Sequence, residues 1–319
     1  MLILWIVIFV VSLALLIKSA DWFTEAAENI GRAMHISPFV IGVTIVSIGT
    51  SLPELATSIV ALFNGNSTIA IANAIGSNIA NILLVGGVSA IAAGTLKITR
   101  SLIDSDLPIL LGVTILSAIM LFDGKFVWQE GVLSIVFFVI YAVYTIRSSE
   151  QQDNIPFVNK YHLERKIGGI KLPWAAIGIL ALGAVGVYFG ADWTVRSLFK
   201  IAEILKINSS AIAMTALAVG TSLPEVVVSV TAALKGKHEV ALGNIFGSNI
   251  FNLLIVIGVP SLFSPLQIDK PSFFIGLPIL LAVTVLYVFS GISQRIHKWE
   301  GFVYIFIYIM FIVRLFNIF

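Results

Sequence analysis

Two acidic residues stand inside otherwise apolar stretches of the chain, and each ends the same hexapeptide, Gly-Thr-Ser-Leu-Pro-Glu, at residues 49–54 and 220–225. An ionisable side chain in mid-membrane costs at least about 2.5–3.5 kcal/mol on insertion scales, so residues like Glu54 and Glu225 usually mark an ion pathway. On a helix, Ser47, Thr50, Ser51 and Glu54 fall at i, i+3, i+4 and i+7 and share one face. Ala218, Thr221, Ser222 and Glu225 repeat the arrangement, with Ala218 offering only its carbonyl. Pro53 and Pro224 lack a backbone donor and crowd the preceding turn, so carbonyls near Ser47 and Ala218 can lose their helical partners. Two prolines that merely kink helices would explain all of this except the glutamates.

A second stripe, Asn73, Ser77 and Asn81, recurs as Asn244, Ser248 and Asn252, each set at i, i+4 and i+8. Alone, such a stripe more often forms an interhelical hydrogen-bond seam, with Ala72 and Gly76, then Gly243 and Gly247, permitting close approach. Beside the glutamates it reads as a set of neutral oxygen ligands. Asn78 and Asn249 lie one position off the stripe and are expected to satisfy broken backbone. The resulting donor set is all oxygen, without His or Cys, which suits calcium and sodium and not zinc or copper. Magnesium fits less well because it gives up its waters reluctantly. Two ionised glutamates neutralise one calcium, whereas three sodium ions in the same cavity leave one positive charge. Competition for one pair of carboxylates yields antiport, and an empty, doubly negative site resists crossing an apolar barrier.

The elements that must hold these residues are membrane helices. Of 319 residues, 58% are hydrophobic and 11% charged, far from the balance of a soluble domain. Ten spans are expected, at about 2–20, 38–63, 69–92, 105–122, 127–146, 174–197, 209–234, 239–262, 272–291 and 299–317. The first lacks a basic n-region and a small-residue cleavage site, so it reads as a retained span. A net charge of +2 with scattered lysines and arginines provides no face for nucleic acid. With no cysteine there is neither a disulfide framework nor a thiolate metal site. Connections after odd-numbered spans carry 13 of the 19 Lys and Arg, which puts them in the cytoplasm and both termini outside.

A repeat organises the chain. Residues 20–88 and 191–259 match at 27 of 69 positions under a constant shift of 171, without a gap. The expected architecture is an all-α membrane protein of ten transmembrane helices in two five-helix repeats, 1–146 and 174–319, joined by a short basic linker, 147–173. An odd number of spans per repeat makes the two halves antiparallel, and inverted-repeat transporters place their site near the bilayer midplane, where broken helices meet.

The paired hexapeptides, each followed by a Gly-Ser-Asn helix, resemble the alpha-repeats of the sodium/calcium exchanger family within the calcium/cation antiporter superfamily. The resemblance covers all ten spans. It implies alternating access by sliding of helices 1 and 6 against the other eight, with calcium and sodium as transported substrates. It places ion ligands on the Ser47 carbonyl, Thr50, Ser51, Glu54, Ser77 and Asn81, and on the Ala218 carbonyl, Thr221, Ser222, Glu225, Ser248 and Asn252. Some relatives carry Asp at the position of Asn252, which goes with potassium use, so Asn252 argues against potassium here and removes a possible third charge. The large regulatory loop of animal exchangers is absent, since 147–173 cannot hold its domains.

A proton-coupled calcium antiporter is the closest rival, because buried glutamates can carry protons. A passive channel is disfavoured, since the motifs form no pore-lining ring. An enzyme would need a nucleophile with a base, or a metal with an activated water, and neither constellation is present. No cofactor and no obligate protein partner are indicated beyond the ions and the lipid bilayer. Asp21-Trp22 and Asp192-Trp193 are expected at the ends of helices 1 and 6, as interfacial residues.

Overall fold

The computed structural model describes residues 2–34, 36–98, 106–151, 174–204 and 222–315. The predicted span 209–234 is described only from Ser222 onward, so Ala218 and Thr221 lie outside the described residues, as does 152–173 of the expected linker.

Almost everything described is helix: α1 (Leu2–Met34), α2 (Pro38–Phe63), α3 (Ser67–Ala93), α4 (Leu107–Met120), α5 (Trp128–Gln151), α6 (Trp174–Ile204), α7 (Leu223–Leu234), α8 (His238–Ser261), α9 (Ser272–Ile292) and α10 (Lys298–Leu315). Among the described residues, seven of these, α1, α2, α3, α5, α6, α8 and α9, are long and apolar enough to cross a membrane. Two short antiparallel ribbons tie connections together, β1 (Thr95–Lys97) with β4 (Arg295–His297) and β2 (Lys125–Phe126) with β3 (Leu266–Gln267).

The first helix differs from expectation. It does not stop near residue 20 but continues to Met34, 33 residues in all, or about 50 Å at 1.5 Å per residue. Asp21 and Trp22 therefore lie within it, and Asp192 and Trp193 lie within α6. The polar residues that suggested an end are accommodated laterally. Asp21 pairs with Lys235 at 2.7 Å and Glu28 with Lys237 at 2.9 Å, both lysines coming from the turn between α7 and α8. Asp192 pairs with Arg196 one helical turn on, at 2.8 Å. Ion pairing along and between helices satisfies charges that composition alone assigns to a loop.

The layers follow from which helices are covered on all sides. The 18-residue apolar window of α8 is 94% buried inside the protein and that of α3 is 78% buried, against 17% for α1 and 28% for α6. The central layer is thus α3 and α8 with α2 and α7, while α1 and α6 pack mainly on each other and turn Ile3, Val10, Leu182 and Val185 outward, as lipid-facing helices do. Small residues set the close approaches. Gly183, Gly186 and Gly190 of α6 lie against Phe23, Ser19 and Leu16 of α1, and the run of contacts makes the two helices antiparallel. At the centre, Gly42 of α2 meets Gly243 of α8, a Cβ on Gly243 would lie 2.5 Å from the Phe39 carbonyl oxygen, and Phe39 and Phe246 pack edge to face beside them.

Four helices contain a single π turn among the described residues: Gly42–Val46 near the start of α2, Asn81–Val85 in α3, Asn252–Val256 in α8 and Ser272–Gly276 at the start of α9. Those of α3 and α8 stand 171 residues apart, so the repeat in sequence is also a repeat in local geometry. In α2 the irregularity begins before Pro53, at Gly42. Thr44 and Ser47 hydroxyls donate to the carbonyls of Val40 and Val43, satisfying acceptors in lipid, where water cannot.

Gly243→Val should force the α2–α8 contact apart and cost about 1–3 kcal/mol, as overpacking does. Thermal unfolding in detergent checks this, with Gly112→Ala as control, since a Cβ at Gly112 meets nothing within 4 Å.

Candidate functional site

The π turns of α3 and α8 each meet the glutamate-bearing helix of the other half of the chain, while the π turn of α2 packs on the first part of α8. The turn starting at Asn81 packs on α7, which carries Glu225, and the turn starting at Asn252 packs on α2, which carries Glu54. Glu54 and Glu225 are both fully buried, at 0% exposure. Ser51 donates its hydroxyl to Glu225 Oε1 at 3.0 Å, a bond from the first half of the chain to the second. Since Ser51 is one turn before Glu54, this bond brings the two carboxylate-bearing faces to one place.

Most of the oxygens here lack a partner. Both carboxylate oxygens of Glu54, Oε2 of Glu225, Oγ of Ser77, Oγ of Ser222 and Oδ1 of Asn81 and Asn252 are buried with no hydrogen bond. Buried polar atoms are nearly always paired, and leaving one unpaired costs about 1–3 kcal/mol, more when it is charged. Seven such oxygens on four helices outnumber the unpaired amide nitrogens beside them, Nδ2 of Asn81 and of Asn252. A hard cation supplies what is missing, because it can accept several carbonyl, hydroxyl and carboxylate oxygens at once. Ca²⁺ and Na⁺ are cargo of that chemistry.

Ser47, Thr50 and Ser248 sit at the rim of the same centre, each at most 1% exposed. Ser47 turns its hydroxyl toward Val43, leaving its carbonyl as the group that can face the site. Thr50 Oγ1 lies 3.5 Å from Ser248 Oγ and donates within 3.1 Å of Asn244 Oδ1. Ten of the twelve residues proposed from sequence are therefore described and buried together, and the other two, Ala218 and Thr221, lie outside the described residues. Asn78 and Asn249 behave as backbone satisfiers: Asn78 Nδ2 donates to the Asn249 carbonyl at 3.0 Å and Asn249 Nδ2 to the Ile245 carbonyl at 2.6 Å.

Sequence reasoning missed the serines behind the asparagine stripe. Asn73 Nδ2 donates to Ser58 Oγ at 3.3 Å and to the Glu54 carbonyl at 3.2 Å, and Asn244 Nδ2 donates to Ser229 Oγ at 2.9 Å. Ser58 and Ser229 are equivalent under the shift of 171 and each follows its glutamate by four residues, which was the available signal.

A multi-pass helical membrane protein that encloses two carboxylates among unpaired neutral oxygens is a transporter of hard cations in its general class. The family described as sodium/calcium exchanger protein matches residues 4–147 and 175–317. The chain is 33% identical to the sodium/calcium exchanger MaX1 of Methanosarcina acetivorans over 98% of each chain, and 35% identical to the putative antiporter CaxA of Alkalimonas amylolytica over 96% of this chain and 97% of that one. Among solved structures it is similar to the sodium-calcium exchanger NCX_Mj, with TM-score 0.83 and 34% identity over 99% of this chain and 100% of the other. The chain belongs to the sodium/calcium exchanger family.

The unequal treatment of the two glutamates has a consequence for stability without bound ions. Glu54→Gln replaces a buried carboxyl group whose two oxygens have no partner and should raise the unfolding temperature in sodium-free, chelator-containing detergent. Ser51→Ala strips Glu225 of its donor and should lower it, by an amount equivalent to about 1–3 kcal/mol. Differential scanning fluorimetry of the two variants side by side reads both signs.

Proposed function

We infer that this chain exchanges sodium for calcium across the cell membrane, one ion load replacing the other at a single site built from Glu54 and Glu225. The observation that carries the reading is the set of seven buried, unpartnered oxygens, three from those carboxylates and four from neutral side chains beside them, in a member of this family. The proposed ligands are the carbonyls of Ser47 and Ala218 and the side chains of Thr50, Ser51, Glu54, Ser77, Asn81, Thr221, Ser222, Glu225, Ser248 and Asn252. Calcium satisfies both charges, and sodium ions compete for the same oxygens, so one load must leave before the other binds. An empty site leaves both glutamates without a counter-ion, which disfavours crossing the apolar barrier unloaded.

The architecture that permits alternation is ten crossings in two inverted repeats, 1–146 and 174–319, joined by 147–173. Its support is a symmetry of pairing. Adding or subtracting 171 turns the ribbon pair Leu96–Ile296 into Gln267–Lys125 and the pair Thr95–His297 into Leu266–Phe126, and both members of each relation are observed. Asn78 bonds the backbone of Asn249, its own equivalent. Gly87 of α3 packs on Gly301 of α10 much as Gly258 of α8 packs on Gly131 of α5, so the third helix of each half meets the last helix of the other. A two-fold relation in the membrane plane produces all three.

Sidedness follows the same lines. The connections after α3 and α9 pair with each other, as do those after α4 and α8, which is what alternate crossings require. The first pair carries Lys97, Arg295 and Lys298 and lies on the lysine- and arginine-rich side, so it is cytoplasmic and both termini are extracytoplasmic. The pair α1 and α6 packs on itself more than on the centre, and is the unit suited to slide across the site. Proton coupling is not favoured, since relatives in this family are named for sodium and calcium exchange.

Sodium-loaded proteoliposomes diluted into sodium-free buffer should take up calcium, while a pH gradient alone should not drive it. Glu54→Gln and Glu225→Gln should each reduce the uptake to the protein-free level. Uptake driven only by the pH gradient would make the protein a proton/calcium antiporter, and normal uptake by both variants would move the site elsewhere.

A further inference from the structure

Asn244 lies beside the proposed ligands but outside them. It is fully buried on α8, and its amide reaches three elements at once. Oδ1 accepts the Thr50 hydroxyl at 3.1 Å from α2 and lies 3.5 Å from Ser248 Oγ, while Nδ2 donates to Ser229 Oγ on α7 at 2.9 Å.

A hydroxyl carries one proton, and it can bind a cation only through its lone pairs, with that proton turned away. Thr50 has four acceptors in reach: Asn244 Oδ1 at 3.1 Å, the Ser47 carbonyl at 3.3 Å, Ser248 Oγ at 3.5 Å and the Glu225 carboxylate, and of these only Asn244 is not itself a proposed ligand. If the proton goes to Ser47, it occupies a lone pair of that carbonyl and points the wrong way. If it goes to Asn244, the Ser47 carbonyl and the Thr50 oxygen both stay open. The amide can offer its oxygen to Thr50 and Ser248 only while its NH₂ is held on the opposite side, and Ser229 holds it there. A flipped amide would aim N–H groups at two hydroxyls and at the cation. The other repeat has the same anchorage, since Asn73 Nδ2 donates to Ser58, the equivalent of Ser229.

We propose that Asn244 is a positioning residue that sets the hydroxyl protons of Thr50 and Ser248 away from the bound cation and thereby keeps the Ser47 carbonyl free to bind it. The proposal rests on the reading of the site given above. It assigns Ser229 the task of fixing the amide, and it predicts an effect on ion affinity that passes through Thr50.

The test is a double-mutant cycle in sodium-driven calcium uptake, with Asn244→Ala, Thr50→Val, the double variant, and Ser229→Ala as a milder perturbation. Asn244→Ala should raise the KM for calcium about five- to tenfold, the equivalent of one misdirected hydrogen bond, with the maximal rate changed less than about twofold. Ser229→Ala should shift KM in the same direction by less. In the Thr50→Val background, Asn244→Ala should add less than about twofold. Fully additive effects, or a loss confined to maximal rate or thermal stability, would overturn the proposal. Should Asn244→Ala fail to fold, the Ser229→Ala and Thr50→Val pair decides by the same criterion. Glu54→Gln run in parallel separates the two levels. If it abolishes uptake while the cycle is additive, only the role of Asn244 falls, and if it transports normally, the site itself is wrong and the role falls with it.

Discussion

Two carboxylates shut away from water dominate the energetics of this molecule. Burying one charge without a partner is among the most expensive things a protein can do, and in lipid there is no solvent nearby to relieve it. Here Glu54 keeps neither oxygen bonded and Glu225 only one. The rest of the centre is arranged around that deficit with still more acceptors: hydroxyls, amide oxygens and carbonyls. Such a centre is stable in proportion to the cation it holds, which is how a membrane protein can couple its conformation to its cargo.

The scaffold must position those oxygens without leaving backbone groups unsatisfied. Glycines at 42, 243 and 247 allow α2 and α8 to touch at backbone distance, so side chains from opposite halves of the chain reach one volume. Single π turns starting at Gly42, Asn81 and Asn252 rotate the helix faces locally, and hydroxyls from Thr44 and Ser47 take up carbonyls that the altered winding exposes. The two roles are divided within each helix. One set of polar residues leaves oxygens unpaired in the centre, and another, including Asn78, Asn249, Ser58 and Ser229, keeps the helices and amides in place.

Around this centre, α1 and α6 form a separate antiparallel pair whose contact runs through Gly183, Gly186 and Gly190. Its connection to the centre is partly electrostatic, through Asp21 with Lys235 and Glu28 with Lys237, the latter pair with its carboxylate only 11% exposed. The positions 171 residues before the two lysines are Asn64 and Asn66, so the duplication has diverged in charge at this face while retaining the motifs of the centre.

The membrane setting, the duplicated unit and most of the proposed ligand residues were legible in the sequence, because each rests on local chemistry: apolar run length, identity at a fixed shift, and polar side chains at helical spacing. Glu54 and Glu225 stand out for the same reason, since charge in an apolar run needs no structure to be conspicuous. Other features depend on what lies opposite in space. The end of α1 was misplaced because Asp21 and Glu28 are neutralised by lysines more than 200 residues away, which no local pattern records. The π turns were invisible because Asn-Ile-Leu-Leu-Val and Asn-Leu-Leu-Ile-Val are ordinary helical sequences, wound differently only when packed. That Ser47 gives its hydroxyl to its own helix, Ser51 to Glu225 and Thr50 to Asn244 was decided by tertiary structure alone, since one hydroxyl proton goes to whichever acceptor the packing brings nearest.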